Sequence, residues 1–153
     1  MIINNKTDPE LRYQKMLAKL RERGCRITSH RIGLLHLIAD SEGHPSAAQL
    51  YERLRLQFPT VSLATVYKTI ALLKQDNEIL EIDLHGQSRY DGNKPFQHPH
   101  LICTRCGQII DGDALPSMLT INQQIEDVYG FKVQQQQQVF YGLCPKCQQA
   151  TDV

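Results

Sequence analysis

The sequence of 153 residues has no tryptophan and no long apolar run. No stretch approaches the ~20 residues that a membrane-spanning helix requires, which excludes a helical membrane protein. The opening Met1-Ile2-Ile3-Asn4-Asn5-Lys6 is too short and too polar for a secretory leader. The expectation is therefore a cytoplasmic protein with no membrane partner. A large net charge is missing too, since the formal total is only +1. With 41% hydrophobic and 22% charged residues, the composition is that of a globular chain and excludes a disordered one. The length allows one domain or two small ones.

The near-neutral total conceals two halves. Residues 1–75 hold 12 basic and 6 acidic side chains, whereas residues 76–153 hold 5 basic and 10 acidic ones. A basic front half beside an acidic back half hints at a module for a polyanion joined to something else.

Cysteine is absent between positions 26 and 102. The five that exist are Cys25, Cys103, Cys106, Cys144 and Cys147, and four of them form two CxxC pairs. In a reducing compartment such pairs are more often zinc ligands than disulfides. Each pair lets two thiolates chelate one ion from a single tight turn, and two pairs complete a tetrahedral site. The 37 residues between them leave room for a helix and a strand, so the metal would staple the ends of a small α/β unit. A redox CxxC should open a helix after a strand, and neither pair has that context. Cys25 is left over as a buried or inert thiol.

Apolar spacing predicts four helices in the first half. Tyr13, Met16, Leu17 and Leu20 mark one over 10–23, stopped by Gly24. A second begins near Thr28 or Ser29, with Leu34, Leu37 and Ile38 inward, and ends over Asp40 to Gly43. Ser46 and Gln49 form a capping box for a third, with Ala47, Leu50, Tyr51 and Leu54 on one face. Phe58-Pro59-Thr60 breaks the pattern. Ser62 caps a fourth over 63–75, with Leu63, Val66, Ile70 and Leu73 inward and Ala64, Thr65, Tyr67, Lys68 and Thr69 nearer the outside. That outer face suits either groove reading or plain solvation. Residues 79–84 and 88–91 predict a hairpin turning at His85-Gly86-Gln87. Helices followed by a hairpin are the winged helix-turn-helix order, in which a late helix enters the major groove of double-stranded DNA. Gly92-Asn93-Lys94-Pro95 looks like a hinge. Beyond it come short strands around 99–103 and 108–111, and a helix over 116–129 with Pro116 in its first turn and Gly130 after its last. A long strand is expected over 131–141, with Gln134 to Gln138 as its polar segment or, alternatively, as a low-complexity loop. The fold class is α+β, with domain limits of 1–85 and 96–153 around a hinge at 86–95.

Of six histidines, His98-Pro99-His100 is the informative pair, because side chains at i and i+2 on a strand leave from one face. Asp91 lies just upstream, Asp111 follows the first CxxC, and His44 precedes the third helix. Two or three His with one or two carboxylates suit Fe(II), Mn(II) or Zn(II). His30, His36 and His85 read as ordinary solvent or core histidines. The same ligand types serve non-haem iron enzymes, but catalysis needs an open coordination position that five protein ligands would fill.

Taken together these motifs resemble the Fur family of metal-dependent bacterial repressors. The matching stretches are Gly24 to Arg31, Gly43 to Ala47, Val61 to Thr69, His98 to Gly107 and Tyr141 to Cys147. The resemblance implies a winged-helix DNA-binding domain and an α/β dimerisation domain. It implies structural zinc on Cys103, Cys106, Cys144 and Cys147, and a regulatory Fe(II) or Mn(II) site from His44, Asp91, His98, His100 and Asp111. It also implies a homodimer on an inverted-repeat operator, with Thr65, Tyr67 and Lys68 in the major groove and Arg26 in the minor groove. Two Asp at the carboxylate positions, and Pro45 after His44, are similar to the peroxide-sensing PerR branch, in which oxidation of His44 or His98 would release DNA. The seven-residue step from Asp91 to His98 is instead similar to iron-uptake repressors, the alternative. The cysteine gap argues against the zinc-uptake branch. Gln97, Pro99 and Gln136 stand where a further metal site would have ligands, and Ser29-His30 stands where the family usually has Pro-Gln.

Overall fold

The computed structural model describes residues 7–113 and 119–150, and the chain divides into two compact units between Phe96 and Gln97. In the first unit come α1 (Pro9–Glu22), α2 (Ser29–Ala39), α3 (Ala47–Gln57), α4 (Leu63–Gln75), β1 (Leu80–Leu84) and β2 (Gln87–Asp91). The second contains β3 (His100–Cys103), β4 (Ile109–Asp111), α5 (Leu119–Tyr129), β5 (Val139–Gly142) and α6 (Pro145–Gln149).

Each helix of the first unit starts on a side chain that accepts an otherwise unmet N–H. Asp8 accepts from Glu10, Thr28 from Arg31, and Ser62 from Thr65. Ser46 and Gln49 exchange both bonds of a capping box. Gly24 follows α1 with φ +68°, a conformation open to glycine at no steric cost. The helices bury one core that includes Met16, Leu20, Leu34, Leu50, Leu54, Val66, Ile70 and Leu73. Leu35 joins it, although the spacing singled out Leu34, Leu37 and Ile38.

Two positions on α4 correct the expected face. Leu63 is 40% exposed, because the first turn of the helix precedes its contact with the core. Thr69, placed outside by spacing, is fully buried, and its hydroxyl donates to the Thr65 carbonyl at 2.8 Å. That bond satisfies the one polar group that would otherwise oppose burial.

The hairpin is tighter than expected. Leu84 pairs directly with Gln87, so only His85 and Gly86 form the turn. Both have positive φ, +51° and +80°, the type I′ geometry that matches strand twist. Asp83 steadies it by accepting from Gly86 N at 2.7 Å. The stretch 86–95, read as a hinge, is therefore largely structured: residues 87–91 are β2, and Asn93 and Lys94 are buried in the first unit.

In the second unit β3 is central, antiparallel to β4 and parallel to β5. Pro116 lies outside the described residues. Gly130 follows α5 with φ +64°. The long strand expected over 131–141 is a correction: only Val139–Gly142 is strand, and 131–138 have no regular structure. The physical reason is the length of its partner. Strand β3 has four residues to pair with, and five successive glutamines bring no apolar face that would extend the sheet. No helix among the described residues is long and apolar enough to cross a membrane.

Candidate metal centres and nucleic-acid face

Sheet register assembles the cysteine cluster. Parallel pairing sets Cys103 opposite Gly142, which brings the turn after β5 beside the turn after β3. Thr104 N donates to Gly142 O at 2.8 Å and Arg105 Nη1 donates to Cys147 O at 2.8 Å, tying the two turns. Gly107, with φ +72°, lets the chain reverse after the first pair. Contrary to expectation, the second pair does open a helix after a strand, since Cys144 is the N-cap of α6 just behind β5. What sets it apart from a redox pair is that all four Sγ atoms lie within 4.8 Å of one another, and none of the cysteines is in a disulfide. Cys106 Sγ and Cys144 Sγ are 3.8 Å apart. Four Zn–S bonds of about 2.3 Å in a tetrahedron would set sulfurs roughly 3.8 Å apart, so the cluster fits zinc. Backbone N–H groups of Cys144 and Cys106 bring the Cys103 thiol down to about 6, against the burial that raises it. Burial, then the other three sulfurs, push Cys147 up to about 12. A dication held by Cys103, Cys106, Cys144 and Cys147 would supply the charge that lets all four ionise.

The histidine and carboxylate residues fall in both units. In the first, His44 Nε2 lies 3.2 Å from Asp91 Oδ2, and both residues are buried. His44 stands in the loop before α3 with φ +55°, directly after Gly43 at +77°. A non-glycine residue keeps that backbone only where its surroundings hold it. The hold is visible: Tyr90 N donates to Pro45 O at 3.0 Å, binding the residue after His44 to the residue before Asp91.

In the second unit antiparallel register places His100 opposite Asp111. Asp111 Oδ1 lies 3.3 Å from His98 Nε2 and 3.8 Å from His100 Nε2. The two imidazole rings are 4.3 Å apart at 50°. Ligands at about 2.1 Å from one ion stand roughly 3.0–3.5 Å from each other, so both groupings suit a cation of the first transition row.

The expected nucleic-acid residues all belong to the first unit. Tyr67 is 52% exposed and Lys68 is exposed on the outer face of α4, with Thr65 half-buried one turn earlier. Arg26 is exposed in the connection from α1 to α2, and its carbonyl accepts from Arg31 Nη1 at 2.7 Å. The hairpin is joined to the helices by Arg89, which donates to Gln49 Oε1 at 2.8 Å.

Two residues near Asp91 escaped sequence reasoning. Arg12 is 2% exposed and Asn93 is 6% exposed. A signal existed for the first, since Arg12 continues the Met16 and Leu20 stripe one turn back at i, i+4, i+8. Asn93 had none, because Gly92-Asn93 reads locally as a turn.

A model of the ferric uptake regulator family matches residues 22–141. The chain is 32% identical over 140 residues to the peroxide-responsive repressor PerR of Staphylococcus aureus (strain USA300), covering 91% of this chain and 93% of that protein. Among solved structures, GAS PerR-Zn-Zn shares 31% identity with a TM-score of 0.51, covering 97% of this chain and 92% of that one. The Helicobacter pylori ferric uptake regulator Fur superposes with a TM-score of 0.73 at 22% identity, covering 94% of this chain and 97% of that one.

Proposed function

The chain belongs to the ferric uptake regulator family, and from that premise we propose that it is a metal-dependent DNA-binding repressor of the PerR type, responsive to peroxide. The observation that carries the reading is the pair of short carboxylates, Asp91 beside His44 and Asp111 beside His98 and His100. Zinc on Cys103, Cys106, Cys144 and Cys147 is structural: it holds the turns after β3 and β5 together.

In this reading His44 and Asp91 from the first unit, with His98, His100 and Asp111 from the second, close on one Fe(II) or Mn(II) ion. The closed arrangement binds the ion better than an open one, so metal shifts the population toward it. The short connection after Phe96 then acts as the hinge. A homodimer in the closed state presents two α4 helices to the half-sites of an inverted repeat. Val128, Tyr129, Phe131, Phe140 and Tyr141 are exposed on the second unit, apolar surface of the kind that a partner subunit covers. Bound Fe(II) supplies one-electron chemistry toward peroxide, and the imidazoles of His44 and His98 are the side chains that would take up oxygen. The loss of those ligands opens the pair of units and releases DNA.

One observation favours a second reading as an iron-uptake repressor, the seven-residue step from Asp91 to His98. DNA binding to an inverted-repeat duplex with Fe(II), Mn(II) or Zn(II), before and after dilute peroxide, separates the two. Peroxide release with iron but not with manganese, and added oxygen on His44 or His98 by mass spectrometry, is the expected result. Persistent binding with unmodified histidines would move the assignment to iron uptake.

A further inference from the structure

We infer that Arg12 and Asn93 are positioning residues for the Asp91 carboxylate, which makes helix α1 a working part of the regulatory metal site although it carries no ligand. The inference rests on the proposed role of Asp91 as a ligand.

Burying a guanidinium is costly unless its donors are met, and the planar fork of Arg12 meets its donors with fixed geometry. Arg12 Nε donates to Gly92 O at 2.9 Å, and Nη2 donates to Glu78 O at 2.6 Å and Glu78 Oε2 at 3.0 Å. The fork thus grips the backbone one residue beyond Asp91. Asn93 grips it from the other side. Its amide donates to Thr7 O at 2.9 Å and Ala39 O at 3.2 Å, and its carbonyl oxygen accepts from Thr7 N at 2.9 Å. Between them Gly92 lies against α2, where a Cβ would stand 2.0 Å from Ile38 Cγ2 and 3.1 Å from the Ile38 carbonyl oxygen.

The loop at 92–94 is therefore fixed by α1, by the segment before it and by the end of α2. Its backbone then dictates the carboxylate. Asn93 N and Lys94 N both donate to Asp91 Oδ1 at 3.0 Å. Two N–H groups on one oxygen set the rotation of the group and determine that Oδ2 faces His44 Nε2. Asp91 is presented as a one-oxygen ligand before any ion arrives. Partners of this kind behind a ligand are typically worth 10–100-fold in metal affinity.

The test compares full-length protein, loaded with zinc at the cysteines, as wild type, Arg12→Met, Asn93→Ala and His44→Ala. Mn(II) is titrated into each, and the visible spectrum is recorded at saturating Co(II), which reports the number and geometry of ligands. Arg12→Met and Asn93→Ala are expected to weaken Mn(II) binding about 10–100-fold and to alter the Co(II) bands even at saturation. Should Arg12→Met fail to fold, Asn93→Ala, which removes only the clamp to Thr7 and Ala39 and buries no charge, decides. Wild-type affinity and an unaltered spectrum in the folded variants overturn the inference. So does weakened affinity with an unaltered saturated spectrum, the mark of a merely structural role. If wild type and His44→Ala titrate alike, the ligand reading itself has failed, a different result from the failure of the clamp.

Discussion

Arg26 and Asp76 show how differently two surface charges can be used. The Arg26 side chain is exposed and the Arg26 carbonyl is bonded to Arg31, so the backbone is pinned while the charge projects outward. If that charge neutralises a phosphate, Arg26→Ala weakens operator binding and lowers the slope of log affinity against log salt by about one. Fluorescence anisotropy across a salt series measures this, and an unchanged slope removes Arg26 from the interface. Asp76, by contrast, is committed within the fold. Arg23 donates to it twice, at 2.6 and 2.7 Å, joining the ends of α1 and α4. Those hydrogen bonds, and then the guanidinium charge, hold the Asp76 carboxyl below the usual carboxylate range, against the burial that raises it. The stabilisation is present above the unfolded carboxylate pKa of about 4 and is lost as pH falls through the lower folded value. Asp76→Asn should thus melt slightly below wild type at neutral pH, a small effect because the pair is partly solvated. The two melting curves should converge as the pH falls below that lowered value. A gap that persists there would show that the pair acts through packing instead of charge.

Among the elements, those governed by local rules were legible. The capping residues Thr28, Ser46 and Ser62 begin helices where the sequence places them. Strand β5 was not, because its length follows from the four residues of β3, a partner some forty positions away. Thr69 was misplaced for a similar reason: a hydroxyl can be buried once it has a carbonyl, and that bond is invisible in a hydropathy pattern. The residues of the cysteine cluster and of the histidine and aspartate groupings could be named from spacing and resemblance, whereas the helical stripe hinted only that Arg12 is buried, since its partners Gly92 and Glu78 come from distant sequence. The second unit also shows what an element requires from its metal. Among its described residues the buried apolar side chains are few, Ile102 and Ile109 beside Cys103 and Cys144. Removing zinc with a strong chelator should therefore unfold this unit and leave the helical core of the first. Far-UV circular dichroism should lose its β contribution and keep most of its helical signal. Full retention of the spectrum would show that the sheet stands without the ion.

For the whole molecule the proposed reading turns on one ion engaging residues of both units. If His44 and Asp91 share an ion with His98, His100 and Asp111, Mn(II) stabilises both units together. At a hundred times its dissociation constant the ion should add about 2.7 kcal/mol, read as a rise in melting temperature, and His44→Ala should abolish that rise. A rise that survives His44→Ala would place the ion elsewhere.

The parallel seating of β5 on β3 has one more consequence. The carbonyl of Gln138 accepts from His100 N at 2.9 Å, so the register is set at the end of the glutamine run. Closing a loop twice as long costs only about 0.6 kcal/mol more. The loop that leads into β5 can therefore change length at little cost. Copies differing there by a few glutamines should hold the same cysteine centre, and repeat-length variation at this point would be invisible to the metal.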